Sequence, residues 1–224
     1  MDWAAIRLSV QLALVTLAIL LPLAVLLGRW LAGSRIRGKA WIEGLIALPL
    51  VLPPTVIGYY LLRVTGNQAS LGRAYEAIAG HTLAFSFEGL VLASLLVNIP
   101  FAVAPTQRAF EAITQDIREA AQCCGMTSMQ AFWRIELPLA WPGILSAAVL
   151  TFAHTLGEFG VVLMVGGNIP GETRTLAIAI YDKVQSFEHV AAGTMSLLLL
   201  VISLATIAVS YGLVERLMRS RRLT

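Results

Sequence analysis

Charge is what this sequence has least of. Only 13% of its 224 residues are charged and 58% are apolar, against about 25% charged in an ordinary soluble domain. Mean hydropathy is +0.78. With half of the usual solvating charge missing, a soluble globular chain is excluded and an integral membrane protein is expected. Cysteine is nearly absent as well. The two present, Cys123 and Cys124, are sequence neighbours, which gives neither a disulfide framework nor the spacing of a zinc knuckle. No metal site is expected. The phosphate-cradling pattern G-x-x-x-x-G-K-[ST] does not occur, nor does the zinc-protease pattern H-E-x-x-H. The chain is therefore expected neither to hydrolyse ATP through that loop nor to act as a membrane protease, and no catalytic residue is assigned. No internal duplication suggests the paired repeats of a secondary transporter. The N-terminus carries Asp2 and lacks a short signal-peptide core with a cleavage site, so the first apolar segment is expected to remain in the mature protein.

What is present is a series of apolar windows. A membrane helix needs roughly 20 mostly apolar residues, and five windows qualify, at about 6–31, 42–62, 87–104, 144–164 and 192–213. Trp3 and Trp30 flank the first as interfacial anchors. The reading is an all-α membrane protein forming a single transmembrane domain over 1–224. Lys and Arg set its orientation. With the N-terminus outside, eleven of the sixteen basic residues face the cytoplasm: Arg29, Arg35, Arg37 and Lys39; Arg108, Arg118 and Arg134; and Arg216, Arg219, Arg221 and Arg222. That satisfies the positive-inside rule and puts the C-terminus in the cytoplasm. The basic tail also reads as a contact for acidic lipid.

Several spans carry more than apolar side chains. The second contains Pro49, Pro53, Pro54 and Gly58. Proline removes a backbone donor and clashes with the preceding turn, so this span is either a kinked packing helix or a broken helix lining a pathway or gate. Asn98, in the third span, is either an interhelical hydrogen-bonding group or a pathway residue. His154 and Glu158, in the fourth, are four residues apart and expected on one helix face. Ionisable groups at that depth face a bundle interior or a cavity, so they either satisfy each other or line the route. The loop 165–190 is expected outside. Its GGNIPGETR stretch, with Glu172 and Arg174, is either a solvated loop or a contact surface for an external protein.

One polar stretch stands apart: Arg118 to Pro142, REAAQCCGMTSMQAFWRIELPLAWP, inside the cytoplasmic segment 108–142. Residues 110–124 can form a helix whose small residues, Ala120 and Ala121, make a flat face. Gly125 supplies a stop, because glycine reaches the left-handed conformation without steric cost. Thr127 with Gln130 reads as a capping box that starts a second helix, and Pro138 and Pro142 are expected to end the unit. A helix, a turn and a helix at the membrane face either rest on lipid or bind a partner and pass on its movement.

The spacing Glu119-Ala120-Ala121, three residues, Gly125, nine residues, Ile135-x-Leu137-Pro138 resembles the EAA loop of ABC-importer permeases at every defined position. The stretches Leu48 to Leu62, Ala84 to Ser94, Leu156 to Gly160 and Asn168 to Thr175 resemble the molybdate permease group, so the likeness covers most of the chain. It implies a type I ABC importer permease fold and a coupling role for Glu119, Ala120, Ala121, Gly125, Ile135, Leu137 and Pro138. It leaves Pro53, Pro54, Gly58, Asn98, His154 and Glu158 as pathway or gate candidates, and Glu172 and Arg174 as candidates for contact with a binding protein. The implied partners are a second copy of the chain, two ATPase subunits that use ATP and Mg, an external oxyanion-binding protein and membrane lipid, with no nucleic acid. This chain itself binds no cofactor, and the location is the bacterial inner membrane. Members commonly carry an Arg where this chain has His154; a His there makes any pathway charge pH-dependent. Tungstate and sulfate, tetrahedral dianions like molybdate, are the alternative cargoes. A stand-alone ion-coupled transporter is the alternative of another class.

Overall fold

The computed structural model describes residues 1–222. Among these it is entirely helical: α1 (Trp3–Gly33), α2 (Lys39–Val51), α3 (Pro54–Thr65), α4 (Ser70–Ala79), α5 (Phe87–Glu111), α6 (Gln115–Cys123), α7 (Ser128–Ala131), a π-helical turn (Phe132–Glu136), α8 (Leu137–Gly157), α9 (Gly160–Gly166), α10 (Leu176–Gln185) and α11 (His189–Arg222). Four segments are long and apolar enough to cross a membrane: Trp3–Gly33, Phe87–Glu111, Ser128–Gly157 and His189–Val209. The bent pair α2 and α3 makes a fifth if it is one span. The side chains of the basic tail, Arg216, Arg219, Arg221 and Arg222, lie outside the described residues.

α5 is the centre of the bundle and packs on α1, α2, α8 and α9. Its start is fixed by Ser86, whose hydroxyl accepts from the Gly89 amide. One apolar cluster, Leu20, Ala24, Leu31, Ala102 and Val103, joins it to α1. Another, Ile57, Ala93, Val97, Val161 and Val165, joins it to α3 and α9. Backbones approach closely in both directions: a Cβ at Gly28 would lie 2.9 Å from the Gln107 nitrogen, and one at Gly143 would lie 2.4 Å from the Ala109 Cβ. Without a hydrophobic drive between helices in lipid, such close packing by small residues is what holds spans together.

The element boundaries correct several expectations. The second span, expected as 42–62, is two helices bent by 106° at Leu52 and Pro53. The fourth, expected as 144–164, is shifted: one helical run from Ser128 ends at Gly157, and a separate helix begins at Gly160. Pro138 and Pro142 do not end the coupling unit. Pro138 follows directly on the π-helical turn, inside the run, and Pro142 lies one turn further along it. The helix expected over 110–124 is interrupted. α5 runs on to Glu111, the chain turns through Ala112, Ile113 and Thr114, and α6 begins at Gln115. The loop 165–190 contains α10, capped by the Thr175 hydroxyl on the Ile178 amide.

Candidate functional site: a coupling unit and a broken-helix cluster

The candidate coupling unit, from α6 to the start of α8, lies where α1 and α5 end. α6 is a short helix finished by a Schellman motif: the Met126 amide donates to the Ala121 carbonyl and the Gly125 amide to the Gln122 carbonyl. That geometry requires a left-handed residue, and Gly125 supplies it with φ +74°. Thr127 then caps α7. Its hydroxyl accepts from the Gln130 amide, and the Gln130 side chain accepts from the Thr127 amide at 2.9 Å. The expected stop and capping box are therefore both present.

Only Ala121 of α6 is buried, while Glu119, Ala120, Cys123, Cys124 and Gly125 are exposed. The unit thus turns the first part of its motif outward. The last part, Ile135, Leu137 and Pro138, lies where the π-helical turn enters α8. π-helical insertions cost regular hydrogen bonding and tend to sit at functional positions.

Beneath the exposed face is a polar knot. Glu136 is only 6% exposed. Its Oε2 lies 2.5 Å from the Arg29 Nε of α1, and its Oε1 lies 3.5 Å from the Arg118 Nε of α6. Arg29 also donates to the Ser128 hydroxyl and stands 4.9 Å over the Phe132 ring. Arg118 donates to the Phe110 carbonyl near the end of α5. An apolar cluster of Phe110, Ile113, Phe132, Ala140 and Ile144 surrounds the knot. Arg29 and Arg118 enter the sequence reading only as topology markers, and Glu136 does not enter it, since it fills the variable position of Ile135-x-Leu137. The signal for it is one carboxylate set between apolar residues where α8 begins.

The pathway candidates collect at the two helix breaks. Glu158 is not on the α8 face that carries His154, because the helix ends at Gly157 and Glu158 has extended backbone. Its carboxylate instead turns forward and accepts from the Val161 amide at 3.2 Å, which caps α9. His154 still reaches it, with Nε2 3.9 Å from Oε2. On its other side the His154 Nδ1 lies 3.2 Å from the Asn98 Oδ1, and the ring stacks on Phe101 at 4.1 Å. Asn98, fully buried, also donates to the Ser94 carbonyl of its own helix.

The α2–α3 break packs against the same segment. A Cβ on Gly160 would lie 2.7 Å from the Pro54 Cβ, and one on Gly58 would lie 2.5 Å from the Met164 Cβ. Pro53 holds the N-cap of α3. The structure therefore brings Pro54 and Gly58 onto α9, and Asn98 and His154 into one polar line that ends at Glu158.

Glu172 and Arg174 lie at the other end of the molecule from the coupling unit, near the start of α5. Glu172 is exposed and lines a cavity of about 540 Å³ with His81, Thr82, Ser86 and Glu88. Arg174 is turned inward. Its Nε donates to the Asn168 Oδ1 at 2.6 Å, and its guanidinium lies 3.4 Å from Asp182 of α10. Among the described residues, no group of three His, Cys, Asp or Glu side chains is placed to hold a metal ion.

Residues 21–222 match the family described as binding-protein-dependent transport system inner membrane component. The molybdenum transport system permease protein ModB of Azotobacter vinelandii is 47% identical over 191 residues, 85% of this chain and 84% of that protein. ModB of Escherichia coli K12 is 36% identical over 207 residues, 92% and 90% of the two chains. Among solved structures, a bacterial alginate ABC transporter in complex with its alginate-bound periplasmic protein superposes with a TM-score of 0.77. It is 17% identical and covers 95% of this chain and 78% of that one.

Proposed function

The chain belongs to the family of binding-protein-dependent transport system inner membrane components, and from that premise we propose how it works. It is the permease subunit of an ATP-driven ABC importer for molybdate: it forms the membrane pathway and couples it to a separate ATPase. The observation that carries this reading is the coupling unit. Its outer face, Glu119, Ala120 and Gly125, is free for a partner, and its inner face is braced on α1, α5 and α8.

Two copies of the chain pair around one pathway, each with five spans when α2 and α3 count as one. The N-terminus lies outside and the C-terminus in the cytoplasm of a bacterial inner membrane. Two ATPase subunits, which use ATP and Mg, dock on α6 and α7. An oxyanion-binding protein docks at the far end, where Glu172 is exposed. ATP-driven closure of the ATPases moves the coupling units. The spans follow, and the cavity alternates between outward-open and inward-open states. The binding protein selects the tetrahedral dianion, and the permease conducts it without holding it tightly. The breaks at Pro53 and Glu158 supply the bending points, and His154, the partly exposed member of the Asn98–His154–Glu158 line, faces the route while Asn98 and Glu158 hold it from within.

The test uses native chemistry. The chain's only cysteines, Cys123 and Cys124, both lie exposed at the end of α6. A membrane-permeant maleimide therefore labels the coupling unit alone. Labelling that falls when the ATPase subunit is added supports docking there. Labelling that stays unchanged in a stoichiometric complex contradicts it.

A further inference from the structure

The coupling unit must pass movement from an exposed surface to buried helices. Most of what lies between is apolar: Phe110, Ile113, Phe132, Ala140 and Ile144, with Leu21 and Val25 packed beside them. Apolar contact is non-directional, so two such surfaces can slip against each other while keeping most of their burial. A buried charge behaves differently. Moved out of register, it loses its partner and stays desolvated, which is strongly unfavourable. A buried ion pair therefore pins relative position where apolar packing does not.

Glu136 is placed to do this. It sits at the junction between the π-helical turn and α8, and it is buried. One carboxylate oxygen takes Arg29 of α1 and the other faces Arg118 of α6. Each arginine carries a second attachment. Arg29 reaches Ser128 at the start of α7, and Arg118 holds the carbonyl of Phe110 in α5. A single side chain thus joins the docking helix to three membrane helices. The two arms differ. The Arg29 arm is a close contact of 2.5 Å. The Arg118 arm is 3.5 Å, and the buried Arg118 Nε has no hydrogen-bond partner. A cavity of about 330 Å³ lined by Arg29, Trp30, Gly33, Ser34, Arg118 and Glu136 opens beside it and leaves room for that arm to shift.

We propose that Glu136 is the positioning residue of the coupling step: a two-armed joint that fixes α8 to α1 through Arg29 and carries the movement of α6 to both through Arg118. This rests on the importer reading above and names the part that transmits force within it.

The test is the ratio of molybdate taken up to ATP hydrolysed, in proteoliposomes that hold the whole complex with its binding protein. Glu136→Gln keeps the shape and removes the charge. It is expected to co-purify with the ATPase in the wild-type ratio and to lower uptake per ATP by roughly tenfold. Glu136→Asp keeps the charge on a shorter side chain and is expected to lower the ratio less than Glu136→Gln does. Arg118→Lys, which keeps the charge on the looser arm, is expected to lower the ratio less than Arg118→Met does. Wild-type uptake per ATP in Glu136→Gln would overturn the joint. So would equal ratios for Glu136→Asp and Glu136→Gln in complexes that assemble normally. If Glu136→Gln does not assemble, the Arg118 variants decide, and equal ratios for Lys and Met there overturn the proposal. The wild-type complex is the control for the underlying reading: molybdate transport without an ATPase would refute that reading, whereas a coupled wild type with an equally coupled Glu136→Gln refutes only the joint.

Discussion

The imidazole Nδ1 of His154 lies 3.2 Å from the side-chain oxygen of Asn98 and joins α8 to α5 inside the bundle. The contact is polar on both sides, and the same ring stacks on Phe101. Removing the amide in Asn98→Ala leaves His154 without this partner and Ser94 without the amide donor. Interhelical hydrogen bonds in membranes are worth about 0.6 kcal/mol on average and up to about 1.7. Asn98→Ala is expected to insert normally and to destabilise the detergent-solubilised chain by an amount in that range, read as a lowered thermal midpoint. An unchanged midpoint would show that the pair adds nothing to stability.

Glu158 has two roles that substitution separates. Its Oε1 caps α9 through the Val161 amide, and its Oε2 faces His154. Glu158→Gln keeps an acceptor for the cap and removes the charge, so assembly with the ATPase should persist while the rate of molybdate uptake changes. Glu158→Ala removes the cap as well and should cost about 1 kcal/mol in addition. Loss of assembly in Glu158→Gln would make the residue a structural partner rather than a pathway group.

Gly58 is held by space. A Cβ there would lie 2.5 Å from the Cβ of Met164, a distance that forces α3 and α9 apart. Gly58→Ala should destabilise the folded chain by about 1–3 kcal/mol, and adding Met164→Gly should restore part of it. Gly157→Ala is the control, since a Cβ there meets nothing within 4 Å. Thermal unfolding of the three variants checks the order. Equal midpoints for Gly58→Ala and Gly157→Ala would contradict close packing at the break.

Gly125 is held by backbone conformation instead. Its φ is +74° and the space around a Cβ is open. A Leu there meets no clash within the chain, only the left-handed strain of about 1–2 kcal/mol. Gly125→Leu should therefore insert and remain folded, yet lose most ATP-coupled uptake because the bulk stands on the docking face. Gly125→Asn, better suited to a left-handed residue, should fold as well as wild type. Normal transport in Gly125→Leu would remove Gly125 from the coupling surface.

These cases show what is legible in the sequence and what is not. The Gly125 stop and the Thr127–Gln130 capping box are local. Each depends on a few neighbouring residues, so spacing alone reveals them. The apolar windows are legible for the same reason. The helix breaks are less so. Proline density marked 49–54, but the 106° bend depends on α3 packing against α9. Pro138 and Pro142 read as stops, yet one follows the π-helical turn and the other lies further inside the same helical run. The break at Glu158 has no proline, and the carboxylate's turn onto the Val161 amide is decided by tertiary placement. Glu136 was hidden for the same reason: its partners are Arg29, 107 positions away, and Arg118, and no periodicity links them.

The measurement that tests the central claim most directly is uptake in proteoliposomes containing this chain, its ATPase subunit and its binding protein, with molybdate, tungstate and sulfate in competition. The account predicts that molybdate accumulates only when ATP and both partners are present, and that omitting either abolishes it. Uptake by this chain alone, driven by an ion gradient, would contradict the account and leave the coupling unit without a function.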